Sequence, residues 1–508
     1  MVLLLSAILM FLGFAGFGLW PIAFIAPLPA LYVADPSLGN HGGFERPRDW
    51  RAMWRYWFFG FVSYIGGFYW IEYTIRVFGG FHWVLSILFS SIFWAYQGLQ
   101  FAIFLFLFAK ARMNGWPASL AGASSFLGIE AIFPMLFEHY YGNSLVHVPL
   151  LIQIADIGGP GMCTLLVIGT ASTLYEMIAS RIKKAPFPIR STTAFALYWL
   201  FALAYGIFRM NLEPQKEANA PAIEVGVIQA NLGLFDRFEH PLDGILKHLK
   251  MTEELLKKNK NRIDLIVWPE SAFPFFIQDE KTFRQIIPPI KSALLFGGIR
   301  KDKNNWLYNT AFLFDPSRSL LDSYDKNHLL AFGEYIPLGD VFPSLYELSP
   351  HSGRFTPGHH FSPLTLLLPD GRAFRLTVLM CYEDILSGFV RQAVSAGRPH
   401  LLVNLTVDSW FGNTHEPWVH LALSQFRAVE HRRWLVRSTI TGVSAFIDSR
   451  GVVRRHGNVF KEATLSMRVP LREEHTLFEL IGPWPGWIGL FLSLFFAFKP
   501  RRTLAPPF

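Results

Sequence analysis

Eight long apolar segments limit what this chain can fold into more than any other feature of its sequence. They lie near residues 2–17, 19–34, 56–78, 83–109, 117–135, 160–180, 191–211 and 477–498. Most approach the roughly 20 residues that a helix needs to cross the hydrocarbon core of a bilayer. The chain is 51% hydrophobic and only 17% charged, whereas soluble proteins carry about 25% charged residues. The pattern predicts a polytopic α-helical membrane bundle of about eight spans.

Lysine and arginine fall in alternate loops between these segments. The basic loops carry Arg46, Arg48, Arg51 and Arg55, then Lys110 and Arg112, then Arg181, Lys183, Lys184 and Arg190. The intervening loops, about 79–82 and 136–159, contain neither residue. Because basic loops stay on the cytoplasmic side of a membrane, we expect both termini in the cytoplasm. The net charge of +8 sits mostly in these loops, so we expect no nucleic-acid partner.

A long polar region follows the seventh apolar segment, and we expect it on the extracytoplasmic side. The predicted domains are thus a transmembrane bundle of about seven helices at 1–211, an extracytoplasmic domain at 212–475, and a last helix with a basic cytoplasmic tail at 476–508. Predicted strands are Glu224–Gln229, Ile263–Trp268, Ala293–Ile299, Asn309–Phe314, Leu320–Asp325, Arg375–Met380, Leu401–Thr406, Trp434–Ile440 and Val443–Ile447. They alternate with helical patterns, which is typical of a layered α/β domain.

Polar groups follow three of these predicted strands. Glu270 follows the strand Ile263–Trp268, and Cys381 follows the strand Arg375–Met380. Lys326 and then Glu334 follow the strand Leu320–Asp325. Taken singly, each has an ordinary structural explanation, such as a helix cap, a solvated lysine or a buried thiol. Together they suit covalent acyl transfer, because a carboxylate can deprotonate a thiol while a fixed cation stabilises the oxyanion. The two cysteines of the chain, Cys163 and Cys381, have no metal-ligand spacing.

Four motifs carry a resemblance to a known family. They are Trp268-Pro269-Glu270-Ser271, Lys326-Asn327-His328-Leu329 with Phe332-Gly333-Glu334-Tyr335-Ile336-Pro337, Cys381-Tyr382-Glu383, and Asp408-Ser409-Trp410-Phe411-Gly412. At these residues the chain resembles the nitrilase, or carbon–nitrogen hydrolase, superfamily. Together with its membrane spans it resembles the apolipoprotein N-acyltransferases of bacteria. The resemblance implies an external αββα sandwich domain and a location in the bacterial inner membrane.

The resemblance also implies roles for individual residues. Glu270 would be the general base, Lys326 the oxyanion-stabilising cation and Cys381 the nucleophile. Supporting roles would fall to Glu334, Tyr382 and Glu383, and substrate binding to Trp410, Phe411 and Phe238. The chain departs from the family pattern at Val407, Phe238, Ala331 and Ile440-Thr441. None of these departures removes a reacting group.

The implied reaction proceeds through a thioester on Cys381. The acyl donor would be a membrane phospholipid, most simply the sn-1 chain of phosphatidylethanolamine, and the acceptor the α-amino group of a diacylated apolipoprotein. We expect no cofactor and no metal, because the sequence shows neither a phosphate-binding glycine loop nor a zinc motif. Nothing in the sequence requires more than a monomer.

Two other hypotheses stay open at this point. A membrane-anchored amidase would use the same Glu–Lys–Cys set, with water replacing the amine. A transporter with an external binding domain would instead use charged residues inside the membrane, for which Glu72 and Glu130 are the candidates.

Overall fold

The structure is a computed structural model that describes residues 1–38, 50–233, 240–277, 280–348 and 352–501. Its internal contacts divide the chain into two compact units. The first, which we call the helical unit, comprises residues 1–72, 84–209 and 480–508. The second, the α/β unit, comprises residues 73–83 and 210–479.

The first half of the described chain is helical. The helices are α1 Val2–Leu12, α2 Leu28–Ala34, α3 Trp50–Gly67, α4 Trp70–Val77, α5 Trp83–Met113, α6 Ala118–Ile132, α7 Pro149–Ile152, α8 Ala155–Gly158, α9 Pro160–Ile182 and α10 Ile189–Ala218. Among the described residues, α5, α9 and α10 are long and apolar enough to cross a membrane, judged by length and composition. The predicted count of eight spans is therefore not confirmed.

Three predicted spans are interrupted, and local residues explain why. The segment 56–78 is two helices, because α3 ends at Gly67 and α4 begins at Trp70; Gly66 and Gly67 are adjacent poor helix formers. The segment 2–17 is helical only to Leu12. The segment 19–34 forms a 3₁₀ turn and then the short helix α2, each with a proline at its start, where a proline fits best.

The α/β unit contains two sheets built from thirteen described strands. They are β1 Ala222–Gln229, β2 Leu265–Val267, β3 Phe273–Ile277, β4 Ala293–Lys301, β5 Leu307–Phe314, β6 Leu320–Asp325, β7 Leu364–Leu367, β8 Ala373–Met380, β9 Leu401–Thr406, β10 Leu435–Thr439, β11 Ala445–Ile447, β12 Val453–His456 and β13 Ala463–Pro470. The first sheet has the order β13-β1-β2-β4-β5-β6, with β3 paired to β4, and the second has the order β12-β11-β10-β9-β8-β7.

The central strands of both sheets run parallel. In the first sheet β1, β2 and β4 are parallel neighbours, and in the second β8, β9 and β10 are. The outer strands are mostly antiparallel, as in the hairpins β5–β6 and β11–β12. Because parallel strands end at the same edge of a sheet, the residues that follow β8 and β9 lie side by side.

The remaining helices of the described chain are α11 Pro241–Lys258, α12 Glu280–Ile286, α13 Leu345–Leu348, α14 Ser387–Gly397, α15 Glu416–His431, α16 Leu477–Ile481 and α17 Trp484–Phe498. The last of them, α17, belongs to the helical unit. One apolar core lies between the two sheets and includes Val225, Leu295 and Val403. Further apolar clusters join the first sheet to α11 and α12, and the second to α14 and α15. This helix–sheet–sheet–helix order confirms the predicted αββα sandwich.

All nine predicted strands are present, but four others were missed. Pro274 lies inside β3 and two arginines lie inside β12, which hides the alternation typical of strands. The missed strands β7, β12 and β13 lie at sheet edges, where burial is incomplete and the apolar signal is weak.

Candidate active site

Cys381 lies at the exact point where strand β8 ends. It follows Met380 and begins a 3₁₀ turn, Cys381–Ile385. Its backbone φ is +49°, a left-handed conformation that costs a non-glycine residue energy and is found mostly at functional sites. The side chain is buried. A strained, buried thiol at a strand end has the geometry of a nucleophile held in place.

Glu383 fixes this turn by accepting four hydrogen bonds. The Tyr324 hydroxyl donates to Oε1 at 2.8 Å, and the backbone amides of Asn327 and His328 donate to the same oxygen at 2.7 and 3.0 Å. The amide of Met380 donates to Oε2 at 2.8 Å. Glu383 therefore joins the end of β8 to the segment that carries Lys326, and it acts by positioning.

Lys326 lies between two carboxylates in the interior of the α/β unit. Its Nζ is 3.3 Å from Glu270 Oε1 and 2.7 Å from Glu334 Oε2. The amide of Asn309 donates to Glu270 Oε1 at 2.8 Å and to Glu334 Oε1 at 2.6 Å. All four side chains are buried. The structure thus brings together the three charged residues that the sequence placed after two different strands.

The backbone around Glu270 is shaped for close approach to β4. The amide of Gly297, in β4, donates to the carbonyl of Pro269 at 3.1 Å. A Cβ at Gly297 would lie 2.6 Å from the Cα of Glu270, which is too close for any side chain. Ser271, the next residue, has φ +56°. The carboxylate therefore projects from a tight turn that leaves it little freedom.

The charges of this group act on the thiol. Burial raises the pKa of the Cys381 thiol well above its ordinary value, and the negative charge of Glu270 adds to this, while the positive charge of Lys326 opposes it. Burial by itself would lower the pKa of Lys326, but Glu270 and Glu334 outweigh it and hold that pKa above its usual range. The lysine is therefore a permanent cation, and the thiol is neutral until a base removes its proton.

The structure describes three of the other four predicted residues. Tyr382 follows Cys381 and is half-buried. Trp410 packs against Phe78, with ring centroids 3.7 Å apart, and Phe411 is buried. Phe238 lies outside the described residues.

Sequence reasoning missed a buried charged network that includes Asp384, in the turn that begins at Cys381. The imidazole of His420, on α15, is 2.7 Å from Asp384 Oδ1 and 3.1 Å from Asp408 Oδ1. The guanidinium of Arg437 donates to both oxygens of Asp408, at 3.2 and 2.9 Å, and to Asp384 at 3.1 Å. Asn309 was missed as well. Asp408 belongs to one of the four motifs, which gave it no role, and Asp384 lies in the turn after β8. Asn309, His420 and Arg437 lie in predicted strands and helices with no local motif, so only their proximity in space reveals them.

Part of this network has the composition of a metal site. Asp408, Glu416 and His420 each offer a donor atom, and these atoms lie within 4.8 Å of one another. The cationic Arg437 already binds both oxygens of Asp408, and its charge opposes a second cation there. The group therefore fits an ion-pair network better than a metal centre.

The fold and the Glu–Lys–Cys geometry define the class of this protein as a carbon–nitrogen hydrolase-type enzyme. A family model described as carbon-nitrogen hydrolase matches residues 224–474. A second, described as the apolipoprotein N-acyltransferase N-terminal domain, matches residues 6–173.

Relatives that resemble the whole chain narrow the class. The chain is 31% identical over 502 residues to the apolipoprotein N-acyltransferase of Geobacter metallireducens, covering 95% of this chain and 91% of the relative. It is 28% identical to that of Bdellovibrio bacteriovorus, covering 97% and 92%. The chain belongs to the apolipoprotein N-acyltransferase family and is an acyltransferase. The family predicted from the four motifs is confirmed, which favours acyl transfer over the amidase and transporter hypotheses.

Solved structures also resemble the chain. An amidase from Nesterenkonia sp. AN1 covers 52% of this chain and 94% of its own, with a TM-score of 0.37 and 18% identity. Nit3 of Saccharomyces cerevisiae, a member of the nitrilase superfamily, covers 51% and 93%, with a TM-score of 0.37 and 15% identity.

Proposed function

We propose that this enzyme moves a fatty acyl chain from a phospholipid to the α-amino group of a diacylglyceryl-cysteine at the N-terminus of an apolipoprotein. The donor is most simply the sn-1 ester of phosphatidylethanolamine, and the acyl group passes through a thioester on Cys381. The observation that carries this proposal is the contact of Lys326 with both Glu270 and Glu334, beside a thiol whose pKa responds to Glu270 and Lys326.

In the first half-reaction Glu270 acts as the base. Its carboxylate takes the proton of the Cys381 thiol while the sulfur attacks the ester carbonyl carbon. The carbonyl oxygen becomes an oxyanion that Lys326 stabilises. As the tetrahedral intermediate collapses, the C–O bond breaks and the lysophospholipid alkoxide takes the proton back from Glu270. The products are a thioester on Cys381 and a lysophospholipid.

In the second half-reaction the amine replaces the phospholipid. The α-amino group attacks the thioester carbonyl, Glu270 accepts a proton from the nitrogen, and Lys326 again holds the oxyanion. The C–S bond then breaks, and the sulfur takes the proton back as a thiol. We assign Glu334, which binds Lys326 at 2.7 Å, to the positioning of the lysine. Tyr382 supports the nucleophile from the adjacent position.

We further propose that the substrates reach the site from the membrane. The segment that carries Glu334 exposes four large apolar side chains by more than half, those of Phe332, Leu338, Val341 and Phe342, which suits contact with lipid. We assign Trp410, Phe411 and Phe238 to binding of the acyl chains. The α/β unit would lie on the extracytoplasmic side of the bacterial inner membrane, in a monomer of about eight spans with both termini cytoplasmic.

The test is the intact mass of the full-length protein in detergent after incubation with phosphatidylethanolamine. We expect an increase of one fatty-acyl group that hydroxylamine removes, and none in Cys381→Ala. Adding a peptide with a diacylglyceryl-cysteine at its N-terminus should discharge the acyl group onto the peptide. Transfer by Cys381→Ala would contradict the proposal. Release of free fatty acid in place of acylated peptide would favour the amidase-like reaction.

A further inference from the structure

Thr406 lies beside the nucleophile, on the neighbouring parallel strand. In the register of β8 and β9, Met380 pairs with Leu405, so the next residues along each strand are Cys381 and Thr406. Thr406 is completely buried. In the structure its hydroxyl donates to Asp408 Oδ1 at 3.1 Å, and its position next to Cys381 lets the same hydroxyl lower the pKa of the thiol by hydrogen bonding. The hydroxyl hydrogen therefore has a second acceptor, the sulfur, on the neighbouring strand.

Asp408 does not depend on this hydroxyl. The guanidinium of Arg437 donates to both of its oxygens, at 3.2 and 2.9 Å, and the imidazole of His420 lies 3.1 Å from Oδ1. A carboxylate with two cationic partners loses little when one neutral donor turns away. The Thr406 hydroxyl can thus rotate toward the sulfur without leaving a buried charge unsatisfied.

The sulfur needs such a donor when it becomes negative. Three charged groups act on it: Glu270 and Asp408 oppose a thiolate, and Lys326 favours it. Asp408 is paired with the cations Arg437 and His420, which the carboxylates of Asp384 and Glu416 also face. Lys326 already contacts the carboxylates of Glu270 and Glu334, and it is assigned to the stabilisation of the oxyanion. A separate hydrogen-bond donor is therefore needed to stabilise negative charge on the sulfur.

We propose that Thr406 stabilises the thiolate of Cys381, its hydroxyl turning from Asp408 to the sulfur whenever the sulfur carries negative charge. This happens when Glu270 removes the thiol proton, and again when the thioester sulfur departs from the acylated amine. The inference rests on the proposed role of Cys381 as the nucleophile. It adds to the Glu–Lys–Cys set a neutral residue that contacts the reacting sulfur.

The experiment measures alkylation of Cys381 by iodoacetamide, followed by intact mass at several pH values between 6 and 9.5. The full-length protein in detergent carries Cys163→Ala, so that Cys381 is its only thiol. Thr406→Val removes the hydroxyl with little change in size, and Thr406→Ser retains it. No lipid is present, so the result does not depend on whether Cys381 accepts an acyl group from phospholipid.

We expect Thr406→Val to slow alkylation roughly three- to tenfold at every pH below the thiol pKa, because a lost hydrogen bond to an anion raises that pKa by about one unit or more and greater nucleophilicity offsets part of the loss. Thr406→Ser should react like the parent. Unfolding would expose the thiol and speed the reaction, so slowing cannot arise from misfolding.

Two outcomes would overturn the proposal. One is alkylation of Thr406→Val at the parent rate or faster. The other is an equal slowing in Thr406→Ser, which would assign the effect to the packing of the lost methyl group. Thr406→Ala provides a second variant without the hydroxyl, and it must slow the reaction as well.

Discussion

The thiol of Cys381 cannot act through its own acidity. Burial and the charge of Glu270 raise its pKa well above the ordinary value, so almost no thiolate exists at neutral pH. A base that removes the proton during attack is then required. Glu270 is suited to this, because Lys326 and Asn309 hold its carboxylate through Oε1. The same lysine remains a cation throughout the reaction.

Replacing Glu270 by glutamine should remove the base while keeping the size of the side chain. We expect Glu270→Gln to form the acyl-enzyme roughly 10²–10⁴-fold more slowly than the parent, the usual contribution of a general base. The measurement is the rate of mass increase with phosphatidylethanolamine. Glu253→Gln, at an exposed position on α11, is the matched control and should react at the parent rate. Rapid acylation of Glu270→Gln would remove Glu270 from the role of base.

Replacing Lys326 should affect both reaction and stability. In Lys326→Met the carboxylates of Glu270 and Glu334 stay buried without their cation. Breaking a buried ion pair in this way costs about 3–5 kcal/mol, so we expect a lower thermal unfolding temperature and no detectable acyl-enzyme. Lys257→Met, at an exposed position on α11, should change neither. A stable Lys326→Met that still accumulates the thioester would show that the oxyanion is held by other groups.

At the scale of elements, the turn after β8 is held from two sides. Glu383 binds the segment after β6, and Asp384 binds His420 and Ser424 of α15. The two consecutive acidic residues, Glu383 and Asp384, therefore bind two different elements of the α/β unit. This accounts for the left-handed backbone of Cys381, because the surrounding bonds offset the cost of the strained conformation.

The approach of the Glu270 turn to β4 can be tested with one methyl group. In Gly297→Ala the new Cβ would lie 2.6 Å from the Cα of Glu270, so the turn must move. We expect a loss of stability of about 1–3 kcal/mol and slower acyl-enzyme formation. Gly388→Ala is the control, since it lies in α14 with open space around it and should be neutral or stabilise by up to about 1 kcal/mol. Unchanged acylation in Gly297→Ala would contradict a tightly positioned Glu270.

The pairing of α15 with the turn after β8 predicts a pH-dependent stability. Burial and Arg437 act to lower the pKa of His420, but Asp384 and Asp408 outweigh them and raise it to about 10. The folded-state pKa exceeds the value of about 6.5 in an unfolded chain. The stabilisation is therefore complete below about pH 6.5 and is lost as the pH rises through about 10.

His420→Gln removes this titration. Between pH 6 and 9 the parent should lose on the order of 2–3 kcal/mol that the variant does not lose, so the difference in unfolding temperature between the two should shrink as the pH rises. Thermal unfolding of both proteins across this range measures it. A difference that stays constant with pH would show that His420 is neutral in the folded protein.

At the scale of the whole molecule, the chain joins a helical unit to an αββα sandwich. The proposed orientation predicts opposite sides for two loops. A phosphatase that is active only outside the cytoplasm should be inactive when fused after Lys183, in the basic loop that follows α9, and active when inserted in the turn at Asp302–Asn305. A fluorescent protein that matures only in the cytoplasm should give the converse pattern. The reverse result at either loop would invert the proposed topology.

The sandwich was more predictable than the helical unit. The alternation of side chains in strands and the turns between β5 and β6 and between β11 and β12 can be recognised from short stretches of sequence. Nine strands were predicted in this way. The helical unit was less predictable. Hydropathy identifies apolar segments but does not show where a glycine or proline ends a helix, as Gly67 does for α3. Hydropathy alone therefore predicted eight membrane spans. Among the described helices, three are long and apolar enough to cross a membrane.

The sequence alone determined the family, and it placed the three residues that we propose as reacting groups. Glu270, Lys326 and Cys381 each follow an apolar strand, and a polar residue just past a buried strand is visible in a linear pattern. Only the tertiary structure decided how these groups work together. The structure places Lys326 and Asn309 in contact with both Glu270 and Glu334, and it places Thr406 next to Cys381 on the neighbouring strand. The residues of each of these groups come from separate elements of the chain. Such contacts depend on the pairing of strands and the packing of layers, which no local pattern encodes.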